Sequence, residues 1–185
     1  MRYHNIEKVS LTNGTGVRTV LWTAGCEHRC EGCQNPCTWD ENGGILFDEN
    51  AEKELLEALS DKWIEGITFS GGDPLHPANR SEVGRLVKKI KEELPNKNIW
   101  LYTGYTWDEL LNFDLSWLSL VDVIVEGRFV LGLRNVDLKW CGSENQNVVN
   151  VKESLAAGML VPVGMEEKYD TTKERVSEQC CCCSC

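Results

Sequence analysis

Three cysteines within eight residues are the side chains best placed to do chemistry: Cys26, Cys30 and Cys33. No regular helix or strand turns three thiols with this spacing toward one point, whereas a tight loop does. Such a loop predicts a metal or iron–sulfur site. Because structural zinc normally takes four protein ligands, three thiolates favour a [4Fe–4S] cluster with one iron open to another ligand.

A fourth cysteine leaves other ligand sets open. Cys30, Cys33 and Cys37 reproduce a ferredoxin-like spacing. In the bacterial ferredoxin run a proline follows the last cysteine, whereas here Pro36 precedes it and can turn the Cys37 thiol away from the loop. A zinc site, a four-cysteine electron carrier and reduced surface thiols therefore stay open beside the three-cysteine cluster.

Composition restricts the class of protein. The chain has 185 residues and a formal charge of −10, with 19 basic and 29 acidic side chains. This length suits one domain with a full core. The acidic balance, without basic runs, argues against direct binding of nucleic acid or of a membrane surface. We expect no signal peptide and no membrane-spanning segment.

The cysteines are distributed as ligands are, and not as a disulfide framework. Four of the ten lie in residues 26–37, five lie in the last six residues, and only Cys141 lies elsewhere. Disulfide frameworks spread through a fold, so clustered thiols predict a reducing, cytoplasmic location. From about Gly164 the chain is highly charged and ends in a cysteine-rich run. We therefore predict a domain over residues 1–163 and a flexible tail over residues 164–185.

Strand and helix patterns alternate along the domain. After an entry segment at residues 3–12, the patterns predict strands at residues 17–23, 66–70, 98–103, 121–125 and 148–151, and helices near residues 49–62, 79–94 and 107–119. This order is typical of a parallel sheet or of part of a β/α barrel.

Unusual residues follow each of the first four predicted strands. They are the three cysteines, Gly71-Gly72-Asp73, Thr103-Gly104-Tyr105 and Glu126-Gly127. In parallel β/α folds the active site lies at the carboxyl ends of the strands, so these features should meet at one edge. That convergence favours an enzyme.

Three single side chains have more than one interpretation. Arg18, inside the first of these strands, faces a ligand or an acidic partner, or it is a solvated residue at the sheet edge. Asp73 orients a turn or a cationic amino group, or it is a plain cap. His28 is expected to pack or hydrogen-bond inside the loop rather than to bind a metal.

The motifs together resemble those of the anaerobic ribonucleoside-triphosphate reductase activating proteins, a branch of the radical S-adenosylmethionine enzymes. The cysteine triad marks the superfamily, while Thr-Gly-Tyr and Gly-Ser-x-Asn-Gln point to this branch. The resemblance covers about residues 3–150. The matching pieces, in family order, are Asn13-Gly14-x-Gly16-x-Arg18, the stretch from Gly25 to Trp39, Ser70-Gly71-Gly72-Asp73-Pro74-Leu75, Trp100-x-Tyr102-Thr103-Gly104-Tyr105 and Gly142-Ser143-x-Asn145-Gln146.

The resemblance implies a fold and a set of site residues. The fold would be a partial β/α barrel of the radical S-adenosylmethionine type, with mainly parallel strands. Cys26, Cys30 and Cys33 would bind three irons of a [4Fe–4S] cluster, and the amino and carboxylate groups of S-adenosylmethionine would bind the fourth. The residues expected to contact S-adenosylmethionine are Gly32, Cys33, Gln34 and Gly72, with Gly71 and Asp73 as further candidates.

The resemblance also implies an activity and its partners. An electron from a reduced flavodoxin or ferredoxin-type donor would cleave S-adenosylmethionine to methionine and a 5′-deoxyadenosyl radical. That radical would take a hydrogen atom from a glycine of the large reductase subunit, and a homodimer is a further expectation. The alternatives are an activase for another glycyl-radical enzyme of the pyruvate formate-lyase type, a small-molecule radical enzyme, or a non-enzymatic zinc or iron–sulfur module.

This sequence departs from the family pattern at three places. Gln34 stands where the family often has an aromatic residue, which affects any stacking on adenine. Cys141 and Asn147 stand where the family has arginines, so docking of the reductase would differ if those arginines meet it. The terminal run of residues 180–185 has no counterpart in the family pattern.

Overall fold

Residues 1–164, as described by the computed structural model, contain one seven-stranded sheet; the predicted tail from residue 165 onward lies outside the described residues. The strands are β1 (Arg2–Ser10), β2 (Arg18–Thr23), β3 (Ile45–Leu46), β4 (Gly66–Gly71), β5 (Asn98–Tyr102), β6 (Val123–Glu126) and β7 (Asn147–Asn150). Their spatial order is β3-β1-β2-β4-β5-β6-β7. The four central strands, β2, β4, β5 and β6, are parallel, while β1, β3 and β7 pair antiparallel at the sides.

Four α-helices connect or follow these strands: α1 (Glu49–Ser60), α2 (Pro77–Glu93), α3 (Trp107–Leu111) and α4 (Val151–Ala157). Local sequence explains their starts. Asp48 caps α1, its carboxylate accepting hydrogen bonds from the Asn50 and Ala51 amides at 3.0 and 2.9 Å. Thr106 and Glu109 form a reciprocal capping box at the start of α3.

The two faces of the sheet are covered differently. One face packs against α1 and α2 in the larger core, which includes Leu55, Leu86 and the strand residue Leu101. Trp100 of β5 and Val125 of β6 point toward the opposite face of the sheet. There they form a smaller core with residues that follow β6, among them Leu138 and Cys141. Helices on one face leave the other face to loops, and these loops shape the site.

The predicted α/β fold with a mainly parallel centre is confirmed, and three local predictions were wrong. The entry segment at residues 3–12 is the strand β1. The helix predicted over residues 107–119 ends at Leu111, and a 3-10 turn follows at Leu118–Leu120. The last strand ends at Asn150, where α4 begins without having been predicted. The curvature that would make this sheet a radical S-adenosylmethionine barrel stays a prediction.

Neither interpretation of Arg18 was right. Its side chain is fully buried, and it donates hydrogen bonds to the Thr68 hydroxyl at 2.8 Å, to the Ile67 carbonyl at 2.6 Å and to the Asn98 side-chain oxygen at 2.5 Å. Burial lowers the pKa of the guanidinium to about 10. Arg18 therefore joins β2, β4 and β5 as a structural residue.

Within residues 1–164, no helix combines the length and the apolar character that crossing a lipid bilayer would require.

Candidate functional site

The three clustered cysteines line one cavity at the carboxyl end of the parallel strands. They lie in residues 26–33, called the cysteine loop below, and each is partly buried. The cavity has a volume of about 570 Å³, which is within the range of small-molecule sites. Other lining residues include, in chain order, Gln34, Gly71, Gly72, Asp73, Thr103, Gly104, Gly127 and Cys141. The motifs that follow β2, β4, β5 and β6 therefore meet at one edge, as the sequence predicts.

Two of the predicted cofactor contacts differ in their placement. Gln34 is exposed at residue level, yet it lines the cavity. Gly32 is exposed, does not line the cavity, and has a φ of 71°, a conformation that favours glycine. The side chain of Leu131 packs over Gly32, since a Cβ there would lie 2.9 Å from Leu131 Cδ1.

Cys37 is separated from the other three thiols of this region. It lies in a 3-10 turn, Pro36–Thr38, and its side chain is exposed. It is not among the residues that line the cavity. This placement agrees with the three-cysteine ligand set better than with the four-cysteine set.

The three thiols line the cavity but do not converge on one position as the ligands of a single metal ion do. Within residues 1–164, no three His, Cys, Asp or Glu side chains converge as one bound metal ion requires. A tetrahedral zinc ion holds sulfur ligands about 2.3 Å away, whereas a four-iron cluster is larger and holds its thiolates farther apart. Burial raises the pKa of the Cys26 thiol to about 11, so binding to iron must release its proton.

Backbone hydrogen bonds close the cysteine loop against the segment that follows it. The Gly25 amide donates to the Thr38 carbonyl at 2.8 Å, and the Cys26 amide donates to the Trp39 carbonyl at 3.1 Å. Inside the loop the Cys33 amide donates to the Cys30 carbonyl at 3.1 Å. Because its start is hydrogen-bonded to residues 38–39 and its last turn is closed by the Cys33 amide, the loop holds its thiols in a defined arrangement.

Gly71 and Gly72 bring the turn after β4 against the end of β2 and against Gly25, the residue before the cysteine loop. Gly71 has a φ of 106°, and a Cβ there would lie 2.6 Å from the Thr23 amide nitrogen. A Cβ at Gly72 would collide with the Gly25 carbonyl, and the Asp73 amide donates to that carbonyl at 2.7 Å. Both glycines are thus required by close backbone packing at these residues, and they also leave the cavity wall free of side chains.

Asp73 connects three of the loops that border the cavity. Its side chain is 1% exposed. Its oxygens contact His28 Nε2 at 2.8 Å, accept from the Thr103 hydroxyl at 2.9 and 3.0 Å, and accept from the Gly104 amide at 2.9 Å. It also accepts from the Leu75 amide in its own turn at 2.8 Å. These contacts support the orienting interpretation of Asp73.

His28 is held between Asp73 and an aromatic ring. The His28 ring meets Tyr105 edge to face at 4.5 Å, and Tyr105 donates its hydroxyl hydrogen to Glu27 at 2.6 Å. Burial raises the pKa of the Tyr105 hydroxyl. The Thr-Gly-Tyr motif therefore supports the cysteine loop from the side of β5, and the expected packing and hydrogen-bonding role of His28 is observed.

A second concavity of about 910 Å³ lies between α1 and α2. It is lined by charged side chains that pair with one another, as Arg85 pairs with Glu82 at 2.7 Å. None of the described cysteines lines it. The cavity at the cysteine loop is therefore the better candidate for chemistry.

Comparisons with known proteins agree with this site. A family model described as a 4Fe-4S single cluster domain matches residues 12–149. An anaerobic ribonucleoside-triphosphate reductase-activating protein of Enterobacteria phage T4 is 43% identical over 148 residues, which are 80% of this chain and 93% of the relative. Proteins of the same name from Escherichia coli K12 and Haemophilus influenzae are 42% and 38% identical, each over 154 residues, 82% of this chain and 100% and 99% of the relatives.

The chain belongs to the family of anaerobic ribonucleoside-triphosphate reductase-activating proteins.

In this family member, aromatic side chains that were not predicted as site residues also line the cavity. They are Trp22 near the end of β2, Tyr102 at the end of β5, Phe129 and Trp140. Burial raises the pKa of the Tyr102 hydroxyl. Strand alternation could have found two of them, because Trp22 and Tyr102 fall just before the motif-bearing loops on cavity-facing positions.

The Gly-Ser-x-Asn-Gln motif, the branch-specific part of the family pattern, forms a hydrogen-bonded loop beside the cavity. Gln146 Oε1 accepts from the Gly142 and Ser143 amides at 2.8 and 3.2 Å, and Gln146 Nε2 donates to the Gly127 carbonyl at 2.9 Å. Asn145 Nδ2 donates to the Arg128 carbonyl at 2.8 Å. The motif therefore fixes the loop that follows β6.

Proposed function

We propose that this chain activates an anaerobic ribonucleoside-triphosphate reductase by forming a glycyl radical on it. The proposed chemistry is reductive cleavage of S-adenosylmethionine at a [4Fe–4S] cluster. One observation carries the proposal: three thiols and the Gly71-Gly72 turn share one cavity in a member of this family. When bound, the cluster supplies the electron that splits S-adenosylmethionine into methionine and a 5′-deoxyadenosyl radical, the hydrogen acceptor.

Cys26, Cys30 and Cys33 are the proposed cluster ligands. Their partial burial and their common cavity support this assignment. Cys37 is exposed outside the cavity. Cys141 also lines the cavity, but it belongs to the smaller core and its thiol faces the Gln146 carbonyl at 3.9 Å. We therefore propose that one iron of such a cluster has no cysteine as a fourth ligand. That open iron is what a chelating amino acid needs.

The part of the cavity lined by Gly71, Gly72 and Gln34 is the proposed place for S-adenosylmethionine. Gly72 and Gly71 offer backbone without side chains, and Gln34 offers an amide. Gly32 and Cys33 are proposed contacts through their backbone in the cysteine loop. Asp73 is proposed to act through the loops that it joins, because its oxygens already accept hydrogen bonds from them.

The proposed partner is the large subunit of the reductase, because the family name specifies activation of that enzyme. A reduced flavodoxin or ferredoxin-type protein is the proposed electron donor, and a homodimer is the proposed assembly. We place this activity in the cytoplasm, where clustered thiols stay reduced. The domain of residues 1–163 is the proposed catalytic unit.

Anaerobic reconstitution followed by two measurements tests the proposal. The reconstituted protein should be brown and hold about four irons per chain in its cluster. Addition of dithionite and S-adenosylmethionine should yield 5′-deoxyadenosine. Mixing with the purified large reductase subunit should then give a glycyl radical signal by electron paramagnetic resonance.

Each alternative has its own outcome in this experiment. If a glycyl radical forms on a pyruvate formate-lyase type enzyme but not on the reductase, the protein is an activase of that other enzyme class. A colourless protein that binds zinc and leaves S-adenosylmethionine intact would identify a non-enzymatic module.

A further inference from the structure

Four exposed apolar side chains lie within a seven-residue segment, residues 130–136, that follows β6. Val130, Leu131, Leu133 and Val136 are 41%, 43%, 43% and 67% exposed. We call the segment of residues 130–136 the apolar loop; it contains a 3-10 turn at Leu131–Leu133. Single exposed apolar residues are common on proteins, whereas clusters of them mark binding surfaces.

The apolar loop borders the cysteine loop and its cavity. Leu131 packs over Gly32 between two of the proposed cluster ligands. Phe129, the residue before the apolar loop, lines the cavity itself, and a Cβ at Gly142 would lie 2.9 Å from its ring. A chain that extends from this cavity on the Gly32 side therefore meets the apolar loop.

Hydrogen bonds hold the apolar loop in one shape. The Leu133 amide donates to the Val130 carbonyl at 2.9 Å, and the Glu144 amide donates to the Leu133 carbonyl at 2.9 Å. The Val130 amide donates to the Ser143 hydroxyl oxygen at 3.1 Å. The Gly-Ser-x-Asn-Gln motif thus braces the exposed apolar side chains, and a braced surface loses little conformational entropy when a partner binds.

The same region lacks the two cations of the family pattern. Cys141 is buried in the smaller core, and Asn147 donates a hydrogen bond to Glu126 at 2.5 Å. Neither position carries a positive charge. Beside the exposed guanidinium of Arg134, the apolar loop offers a partner its four exposed apolar side chains.

We propose that the apolar loop is the docking surface for the reductase, and that it binds an apolar stretch next to the residue that receives the radical. This inference rests on the proposed function, because that function supplies the occupant. When a residue of a protein substrate enters the cavity, the adjoining chain must lie on the cavity border. The apolar loop forms part of that border and is already shaped to receive it.

A double variant with a matched control tests the docking surface. Val130→Gln/Leu133→Gln removes two apolar contacts and keeps similar side-chain size. The control, Trp63→Gln, alters one large apolar residue that is 70% exposed in the turn before β4. Because the cavity lies at the carboxyl end of β4 and this turn precedes its first residue, Trp63 lies at the opposite end of the strands from the cavity.

The primary measurement is the Kd between each full-length reconstituted protein and the purified large reductase subunit, under anaerobic conditions. We expect the Val130→Gln/Leu133→Gln variant to bind at least about tenfold more weakly, since each side chain loses burial on docking. The control should bind as the unmodified protein does. Cleavage of S-adenosylmethionine with dithionite, in the absence of reductase, should be equal in all three proteins.

The outcomes separate this proposal from the proposed function. An unchanged Kd for the double variant overturns the docking surface, whether or not S-adenosylmethionine is cleaved. Dissociation of a dimer in the double variant, with reductase binding unchanged, assigns the apolar loop to a second copy and also overturns it. Weaker binding together with no cleavage in any of the proteins upholds the docking surface and refutes the proposed function. Val136→Gln, outside the 3-10 turn, is an independent variant with a smaller expected loss of binding.

Discussion

At the scale of single residues, Asp73 explains how separate loops become one site. Its carboxylate accepts hydrogen bonds in its own turn after β4 and from the loop after β5, and it contacts His28 of the cysteine loop. A buried carboxylate costs free energy unless such partners satisfy it. The satisfied network therefore holds the three loops at fixed positions, as outer-shell partners do around metal ligands.

Replacing Asp73 with asparagine should affect both stability and cofactor binding. The new side chain would place amide hydrogens against groups that now donate to the carboxylate, so Asp73→Asn should lower the free energy of unfolding by about 2 kcal/mol. The Kd for S-adenosylmethionine should rise roughly tenfold because the loops lose their common anchor. Urea unfolding and equilibrium binding measure the two effects.

Asp122→Asn is a matched control for this prediction. Asp122 also accepts a backbone amide, that of Ile99 at 2.7 Å, and pairs with Lys91 at 2.8 Å. It precedes β6 at the other end of the strands. This variant should lose stability without changing the affinity for S-adenosylmethionine, and equal changes in affinity would refute a positioning role for Asp73.

Two further substitutions distinguish the three-cysteine ligand set from a ligand set that includes Cys37. Cys30→Ala should abolish cleavage of S-adenosylmethionine and stable cluster binding, because Cys30 lines the cavity. Cys37→Ala should keep most of the cleavage activity and most of the cluster, because Cys37 is exposed and lies outside the cavity. Iron content and 5′-deoxyadenosine formation are the measurements. Comparable losses in the two variants would show that Cys37 is a ligand.

At the scale of elements, the sequence predicts the parallel centre well because each strand there carries a continuous buried run. In β4, for example, residues 66–70 are all buried, as expected for a strand covered on both faces. The site was predictable for the same reason, since its motifs directly follow these strands. The cavity aromatics were not predicted, although Trp22 and Tyr102 directly precede the motif-bearing loops, because aromatic residues are also common in ordinary strands.

The elements that were missed or misplaced lack a regular pattern. In β1 the pairing register shifts twice, between Tyr3 and Asn5 and between Glu7 and Ser10, so the alternation that indicates a strand is broken. After α3, buried residues such as Leu115 and Leu118 continue an apolar pattern through turns. α4 starts directly after β7, where the buried Val151 extends the strand-like run.

Arg18 gives a prediction at this scale because it joins three neighbouring strands. Arg18→Lys keeps a positive charge but cannot supply the forked donors that now reach Thr68, Ile67 and Asn98. We expect a loss of about 2–3 kcal/mol in the free energy of unfolding, because buried acceptors are left without donors. Chemical denaturation measures this loss, and a stability within 0.5 kcal/mol of the unmodified protein, roughly the scatter of surface substitutions, would contradict it.

At the scale of the whole molecule, the sheet separates structural support from chemistry. Helices α1 and α2 cover one face in the larger core. The other face carries the smaller core and the loops that border the cavity. The seven described strands and the described cavity residues form a continuous sheet with its site inside residues 1–164, so we expect this part to be sufficient for folding and for cluster binding.

A chain that ends at Gly164 tests this sufficiency. We expect its melting temperature to stay within about 2 °C of the full-length value, because a change of 1 kcal/mol would shift it by roughly 2–4 °C. The reconstituted chain should hold about four irons and cleave S-adenosylmethionine at the full-length rate. A full-length variant with serine in place of the five cysteines of residues 180–185 is the control. If the truncated chain and the serine control lose the same amount of iron, that iron is bound by the tail thiols. If the truncated chain loses the cluster but the serine control keeps it, the tail is needed to complete the site.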